Sequence, residues 1–597
     1  MGGDKRTIER LWRDAVAAGR QTPAYLVQHG DEWRPVSWAE AAERVEGYAN
    51  GLLSLGVKKG DAFAILGSSR VEWALFDFAL GCTGAIAAPI YANSSTRDAG
   101  YILEHSEAVG VLCEDEVQRA KVEEARGGIP RLRHVLTFAD LDDLAARGRA
   151  FAAEHPGALR RAGEAIEEDD LFTYIYTSGT TGPPKGCMIS HRNYYAMVAV
   201  VDDLPSFTGP DDTMLLYLPL AHNFGRLMHL SGAYVGYGIA FLPDPLQAAA
   251  ALPAVKPTVF PSVPRVYEKI HSAVVTKFDA ETGAKRKLID WALAVGREVS
   301  ALRRNGKPVP RGLALRYRIA DKLVYTKVKE RLGGRLRLAI SGGAPRSQEI
   351  AEFFHAIDIL LIEGYGLTEC TTAASTNTHE AYRFGTVGRP LPGTEVKLAE
   401  DGELLVRSET VFQGYYKEPE ATAEVLGDDG WLRTGDIAEI DEDGFVTITD
   451  RKKDIIVTAG GKNVAPQNLE NDLKNSKFIS QAMVVGDRQP YIAALLTLDP
   501  EALPAWAEER GLPTDMESLA ASPEVRELVQ GIVDEVNADR SRYEQIKRFT
   551  VLPRDFTMEH DELTPTLKLK RRVVAEHFGD QLGELYEGET LNQAAGA

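Results

Sequence analysis

Residues 177–186 read Thr-Ser-Gly-Thr-Thr-Gly-Pro-Pro-Lys-Gly, and eight of these ten are Gly, Ser, Thr or Lys. The run follows Leu171-Phe-Thr-Tyr-Ile-Tyr176, a short β-type stretch. Glycine lets a backbone double back and bring its N–H groups against a ligand. N–H groups, hydroxyls and one ammonium in succession make a concavity suited to phosphate oxygens. The spacing is not that of a Walker A loop, because Gly186 follows Lys185 where Ser or Thr would hold magnesium. At this level the alternative to a phosphate cradle is a flexible polar turn.

Upstream, residues 1–60 are predicted helical, with apolar residues at three- and four-residue spacing from Trp38 to Leu55. Stretches 62–67, 85–90, 109–113 and 134–138 are predicted short strands with helical segments between them. Such alternation predicts a parallel α/β sheet covered on both faces. A loop that follows a strand, as 177–186 does, is a usual ligand site on these sheets. Downstream, 213–218, 258–263, 335–340 and 359–362 continue the pattern. The last two open onto Ser341-Gly-Gly-Ala-Pro345 and Glu363-Gly-Tyr-Gly-Leu-Thr-Glu369, two glycine-rich ends that a parallel sheet brings to one edge.

From Gly385 onward, short strands and turns predict a small β subdomain. Asp450-Arg-Lys-Lys-Asp454 reads as a charged break, followed by an α+β segment with strands near 455–457, 481–485 and 493–498. The expectation is an α/β chain whose large N-terminal domain, 1–449, stacks α/β sheets and carries the β subdomain. A small α+β C-terminal domain, 450–597, follows.

The length of 597 residues exceeds what one core holds, roughly 250–300 residues. With 68 Lys+Arg against 87 Asp+Glu, the formal charge of −19 argues against a general nucleic-acid binder. Cys82, Cys113, Cys187 and Cys370 form no C-x-x-C pair, so neither a disulfide framework nor a zinc site is expected and a cytoplasmic setting is. No run of 18 apolar residues exists, so no membrane span is expected. One stretch departs from the acidic balance. Residues 265–335 hold 18 Lys/Arg and 7 Asp/Glu, with apolar residues at helical spacing. Solvated helices are one reading; a peripheral contact with anionic lipid at the inner face of the membrane is the other.

Taken together and in order, these motifs resemble the adenylate-forming acyl-CoA synthetases, over about residues 20 to 580. The phosphate loop, Tyr365-Gly-Leu-Thr-Glu369, Arg433-Thr-Gly-Asp436, the run from Asp450 to Gly461-Lys-Asn, and Thr564-Pro-Thr-Leu-Lys568 carry the likeness. Within the family, Leu218-Pro-Leu-Ala-His222 and Val263-Pro-Arg-Val-Tyr-Glu-Lys269 resemble the long-chain fatty acyl-CoA synthetase branch. Gly225, where the branch usually has an acidic residue before Arg226, and Leu567, where a Gly commonly precedes the lysine, are departures.

The resemblance implies an acyl-adenylate made from a medium- or long-chain fatty acid and ATP, then transfer to CoA. The alternative it implies is a fatty acyl-AMP ligase that delivers to an acyl carrier protein. It implies ATP, CoA and Mg²⁺ as bound groups. Thr177, Ser178, Gly179, Thr180, Thr181, Gly182 and Lys185 would hold the β- and γ-phosphates, and Glu369 with Thr180 would hold the metal. Gly343, Ala344, Pro345, Gly364, Tyr365, Gly366 and Thr368 would line the base pocket, with Tyr365 on adenine. Asp436 and Arg451 would meet the ribose, Lys568 the carboxylate and α-phosphate, and His222 the boundary between acyl chain and nucleotide. Asp450 would be the hinge of a mobile C-terminal domain, whose rotation would bring Gly460, Gly461 and Lys462 to the CoA arm.

Overall fold

The computed structural model describes residues 5–30, 32–177, 183–343, 347–538, 540–564 and 568–587. Strand Leu171–Thr177 stands near the edge of a six-stranded sheet with strands His134–Thr137, Gly110–Cys113, Ala62–Gly67 and Ile86–Tyr91, all parallel, and Lys185–Ser190 antiparallel beyond it. The 177–186 motif therefore joins two antiparallel strands and does not open a helix. Thr177 pairs directly with Lys185. Residues 178–182 lie outside the described residues.

A nine-stranded sheet forms the second layer. Its parallel centre runs Leu360–Tyr365, Leu338–Ser341, Val259–Ser262, Thr213–Leu216, Gly238–Phe241 and Tyr25–His29, with antiparallel strands at both edges. The two glycine-rich ends at Ser341 and Tyr365 are neighbours on one edge, as expected, but they belong to a different sheet from 177–186. Helix Val71–Thr83 is buried over twelve of its thirteen residues. It shares one apolar cluster with Ile65 and Ile175 of the first sheet and Leu215 and Ile239 of the second. A helix apolar on every side is stable only when enclosed, and this one is. Gly84, at φ 75°, ends it.

The uniformly helical reading of 1–60 is corrected. Helices Ile8–Ala17 and Trp38–Ser54 are present, but Tyr25–His29 and Glu32–Val36 form a hairpin between them. Its first strand extends the nine-stranded sheet by pairing with Gly238–Phe241, a partner more than 200 residues away. Only that pairing makes it a strand.

The β subdomain is a four-stranded antiparallel sheet, Glu395–Leu398, Glu403–Arg407, Leu432–Ile440 and Val446–Arg451. Asp450 and Arg451 end its last strand, so the charged break begins inside a strand. Beyond it lie a short hairpin, Ile456–Val457 with Asn463–Val464, and a three-stranded sheet, Ile479–Val485, Ile492–Leu498 and Ile546–Val551. The buried apolar residues from Ile456 onward cluster among themselves and share no cluster with those up to Val446. The chain is thus a large mixed α/β domain followed by a small one.

Candidate active site

Strand Leu360–Tyr365 carries the first site residue at its end. The Tyr365 hydroxyl donates to Asp436 Oδ2 at 2.6 Å. Asp436 is 6% exposed and lies opposite Arg451 in the β subdomain, with Arg451 Nε 3.4 Å from its Oδ1. Burial pushes the Asp436 carboxyl pKa up, while Arg451 and the Tyr365 hydroxyl pull it down. A carboxylate held this way keeps lone pairs for further donors, which suits a diol.

Glu369 follows Thr368 in a single 3₁₀ turn, Thr368–Cys370. Its main-chain oxygen accepts from Phe412 N at 2.9 Å and its Oε1 accepts from the Tyr415 hydroxyl at 2.6 Å. The Thr368 carbonyl accepts from Asn223 Nδ2 at 3.3 Å, and Asn223 Oδ1 accepts from the Tyr194 hydroxyl at 2.6 Å. Lys185, at the start of its strand, points its ammonium over the Tyr415 ring, 5.2 Å from the centroid. Asn223 and Tyr415 are site residues that sequence reasoning missed. Neither stands in a motif whose spacing signals chemistry.

Lys568 is partly buried, and its backbone N–H donates to Thr564 Oγ1 at 3.0 Å. Burial and the neighbouring Arg451 bring its ammonium pKa down to about 8, against the pull of Asp436 and Glu369. Lys568 comes from the small domain, so these charges meet across the two domains. His222 caps helix Asn223–Val235 by accepting from Phe224 N at 3.2 Å. Burial, then Lys568, pushes its pKa down to about 3. His222 is a neutral wall residue at ordinary pH.

Lys185, His222, Asn223, Tyr365, Thr368, Glu369, Tyr415, Asp436, Arg451 and Lys568, with Thr177, Gly343, Gly364 and Gly366, line one cavity of about 2720 Å³. The lining also includes the apolar side chains Met197, Leu204, Met228, Leu252, Ile270 and Val274. The structure therefore brings together Thr177, Lys185, His222, Gly343, Gly364, Tyr365, Gly366, Thr368, Glu369, Asp436, Arg451 and Lys568. It does not bring Gly460, Gly461 and Lys462 to this wall; they are exposed, and Lys462 lies 5.9 Å from the Tyr543 ring. Asp450 is 1% exposed, and burial raises its carboxyl pKa to about 6. Its Oδ1 accepts from Arg451 N at 2.6 Å. Ser178, Gly179, Thr180, Thr181, Gly182, Ala344 and Pro345 lie outside the described residues.

Behind His222 and Asn223 is a fully buried ion pair. Arg226 Nε donates to Asp77 Oδ2 at 3.0 Å, Nη2 to Asp77 Oδ1 at 2.5 Å and Nη1 to Thr173 Oγ1 at 2.6 Å. The guanidinium lies over the Phe172 ring at 4.4 Å. The pair locks the helix that His222 caps onto helix Val71–Thr83. The glycine preceding Arg226 is explained by space. A Cβ on Gly225 would fall 2.5 Å from the Pro219 carbonyl oxygen.

Comparison with known proteins agrees with this architecture. The AMP-binding enzyme family model matches residues 12–416, and the model of the AMP-binding enzyme C-terminal domain matches 453–590. Long-chain-fatty-acid--CoA ligase FadD15 of Mycobacterium bovis is 39% identical over 589 residues, 96% of each chain. Mouse long-chain-fatty-acid--CoA ligase 5 is 33% identical and spans 98% of this chain and 89% of its own. Among solved structures, the adenylation domain of a carboxylate reductase from Mycobacterium chelonae superposes with TM-score 0.76 at 24% identity, over 97% of this chain and 91% of its own. The A domain of a carboxylic acid reductase from Segniliparus rugosus, in complex with AMP and a carboxylic acid, gives TM-score 0.74 at 22% identity, over 97% and 94%.

Proposed function

This chain belongs to the AMP-binding enzyme family, and from that premise we propose that it is an ATP-dependent fatty acyl-CoA ligase, AMP-forming. The observation that carries the reading is the single cavity lined both by Glu369, Asp436, Arg451 and Lys568 and by apolar side chains such as Met197, Met228 and Leu252. A nucleotide suits the charged groups of this lining and an alkyl chain suits the apolar ones. The names of the relatives favour CoA over a carrier protein as acceptor.

The chemistry follows from the leaving group. Hydroxide does not leave a carboxylic acid in water, so the acid is first joined to a better one. A carboxylate oxygen attacks the α-phosphorus of ATP, the bond from that phosphorus to the bridging oxygen breaks, and pyrophosphate departs. Two anions meet in this step, so catalysis is positioning and charge cancellation. Lys568 supplies a mobile point charge at the carboxylate and α-phosphate, a task that suits lysine. Lys185 and the 177–186 loop take the leaving phosphates. Asp436 holds the ribose hydroxyls with Arg451 beside it, and Tyr365, its hydroxyl anchored on Asp436, offers a ring face to adenine.

Glu369 fits a hard cation. Tyr415 occupies Oε1, and among the described residues no protein donor is recorded on Oε2. Mg²⁺ bound there would cancel charge on the phosphates. In the second step the CoA thiolate attacks the acyl carbon and AMP leaves, its proton having gone to solvent. We assign 1–449 and 450–597 as the bodies that rearrange between the steps, with Asp450 as the hinge. Gly460, Gly461 and Lys462, remote from the cavity here, would reach it by that rotation, as in domain closures of this kind.

The basic stretch adds a lipid-facing surface to the proposal. Leu315, Ile319 and Leu323 are 60%, 44% and 42% exposed at four-residue spacing on helix Arg311–Ala320 and the turn after it. Arg311, Arg316, Arg318, Lys322 and Lys327 flank them, and among the described residues none of the five is in an ion pair. In a chain of net charge −19, an apolar ridge set in unpaired cations suits an anionic bilayer. Val328 and Leu332, just beyond it, line the same cavity. No helix among the described residues is long and apolar enough to cross a membrane.

Incubation with ATP, Mg²⁺, CoA and a ladder of fatty acids tests the reaction. AMP and acyl-CoA are the expected products. ADP as product, or no turnover on any acid, overturns the reading.

A further inference from the structure

Tyr415 stands in a Gly-Tyr-Tyr-Lys run, residues 414–417, that carries no recognised chemistry. Its backbone forms a bridge with Cys187, and the residues around it bond to the same strand. Gln413 N donates to Met188 O, Met188 N to Gly414 O and Tyr416 N to Gly186 O, at 2.8 to 2.9 Å. Residues 413–416 thus extend the sheet past strand Lys185–Ser190. Residues two apart share a face of a strand, so Lys185 and Cys187 point the same way, and Tyr415 opposite Cys187 joins them.

The path of this strap is fixed. Gly414 adopts φ 122°, a conformation open to glycine, and a Cβ there would fall 2.6 Å from Thr422 Cγ2. Tyr415 N donates to Thr422 Oγ1 at 2.9 Å, and the Phe412 ring meets the Tyr415 ring edge-on at 4.9 Å. Phe412 N holds the Glu369 main chain, and the Tyr415 hydroxyl holds the Glu369 side chain. The same ring carries the Lys185 ammonium on its face. One buried side chain therefore touches both the candidate metal carboxylate, in the turn after a strand of the nine-stranded sheet, and the candidate phosphate lysine, which begins a strand of the six-stranded one.

We infer that Tyr415 is the positioning residue that couples Glu369 to Lys185: its hydroxyl fixes the carboxylate so that Oε2 faces the cation, and its ring face fixes the ammonium for the phosphates. The inference rests on the nucleotide reading of the cavity. Hydrogen bonds to charged groups are strong when desolvated, and a cation over an aromatic face is held without neutralising its charge.

The test separates the two contacts by nucleotide binding and needs no turnover. Affinity for an ATP analogue with a β,γ-methylene bridge is measured with and without Mg²⁺ on wild type, Tyr415→Phe and Tyr415→Leu. Wild type is expected to tighten with Mg²⁺. Tyr415→Phe, which keeps the ring, should lose roughly tenfold of that metal-dependent gain while its metal-free affinity stays. Tyr415→Leu should lose both. Replacement of Tyr415 by 4-aminophenylalanine, which restores a donor at the same place, should recover the gain and so separates positioning from a general loss of fold. A wild type indifferent to Mg²⁺, a Phe variant with the full gain, or an aminophenylalanine variant without recovery overturns the inference. Absence of fatty-acid-dependent ATP–pyrophosphate exchange in wild type would instead sink the proposed reaction, and the titration would still judge Tyr415.

Discussion

The Tyr365 hydroxyl donates to Asp436 Oδ2 at 2.6 Å and joins the end of a central parallel strand to the β subdomain, 71 residues later. The bond sets two edges of the cavity at once. It also ties the direction of the tyrosine ring to the carboxylate proposed for the ribose, so that neither side chain can turn without the other.

Asp436→Asn should therefore weaken ATP more than fatty acid. The amide keeps the shape but loses the charge that faces Arg451 and one acceptor for the ribose. The expected result is a rise in KM for ATP of about tenfold or more, with KM for the acid little changed. An equal rise in both would remove Asp436 from the nucleotide site.

Lys568 gives a pH signature. Its ammonium pKa is lowered to about 8, so the charge is complete at pH 6 to 7 and is lost as pH rises through 8. Because kcat/KM reports the free enzyme, its profile for adenylation should fall on the alkaline side with a midpoint near 8. His222, neutral down to about 3, adds no break in this range. Lys568→Ala should abolish the alkaline break and suppress fatty-acid-dependent ATP–pyrophosphate exchange far more than thioester formation from preformed acyl adenylate. Equal loss in both half-reactions would show that Lys568 does not act in adenylation alone.

The Arg226–Asp77 pair is expected to be costly to break and cheap to replace. Arg226→Met strands a buried carboxylate and should destabilise the chain by about 3–5 kcal/mol. Asp77→Leu with Arg226→Met removes both charges from an aromatic surround and should recover most of that loss in urea unfolding. Additive losses in the double variant would refute a desolvation-dominated pair.

The surface ridge is read by sedimentation with vesicles. Wild type should pellet with vesicles containing anionic lipid and much less with neutral ones. Conversion of Arg316, Arg318 and Lys322 to Glu, or of Leu315 and Ile319 to Ser, should release it, and salt should weaken only the charge contribution. Identical pelleting of wild type and the charge-reversed variant would rule the ridge out as the contact.

Much of this molecule is written locally. That Ser341, Tyr365, Asp436 and Lys568 belong to one site was legible, because each stands in a short run that combines a backbone requirement with a chemical one, and the four line one cavity. Strands such as Ala62–Gly67 and Gly110–Cys113 were legible for a similar reason, being short apolar runs between turns. Tertiary structure alone decided the rest. The hairpin at 25–36 exists because Tyr25–His29 finds Gly238–Phe241, and no local pattern announces a partner so distant. That Lys185 begins a strand of the six-stranded sheet while Glu369 follows a strand of the nine-stranded one required the topology. Tyr415, Asn223 and the Asp77–Arg226 pair became visible only as contacts, since a hydroxyl, an amide or a guanidinium gains its meaning from the group it meets after folding. Residue types and spacings determined which chemistry this chain carries; packing determined which side chains hold it in place.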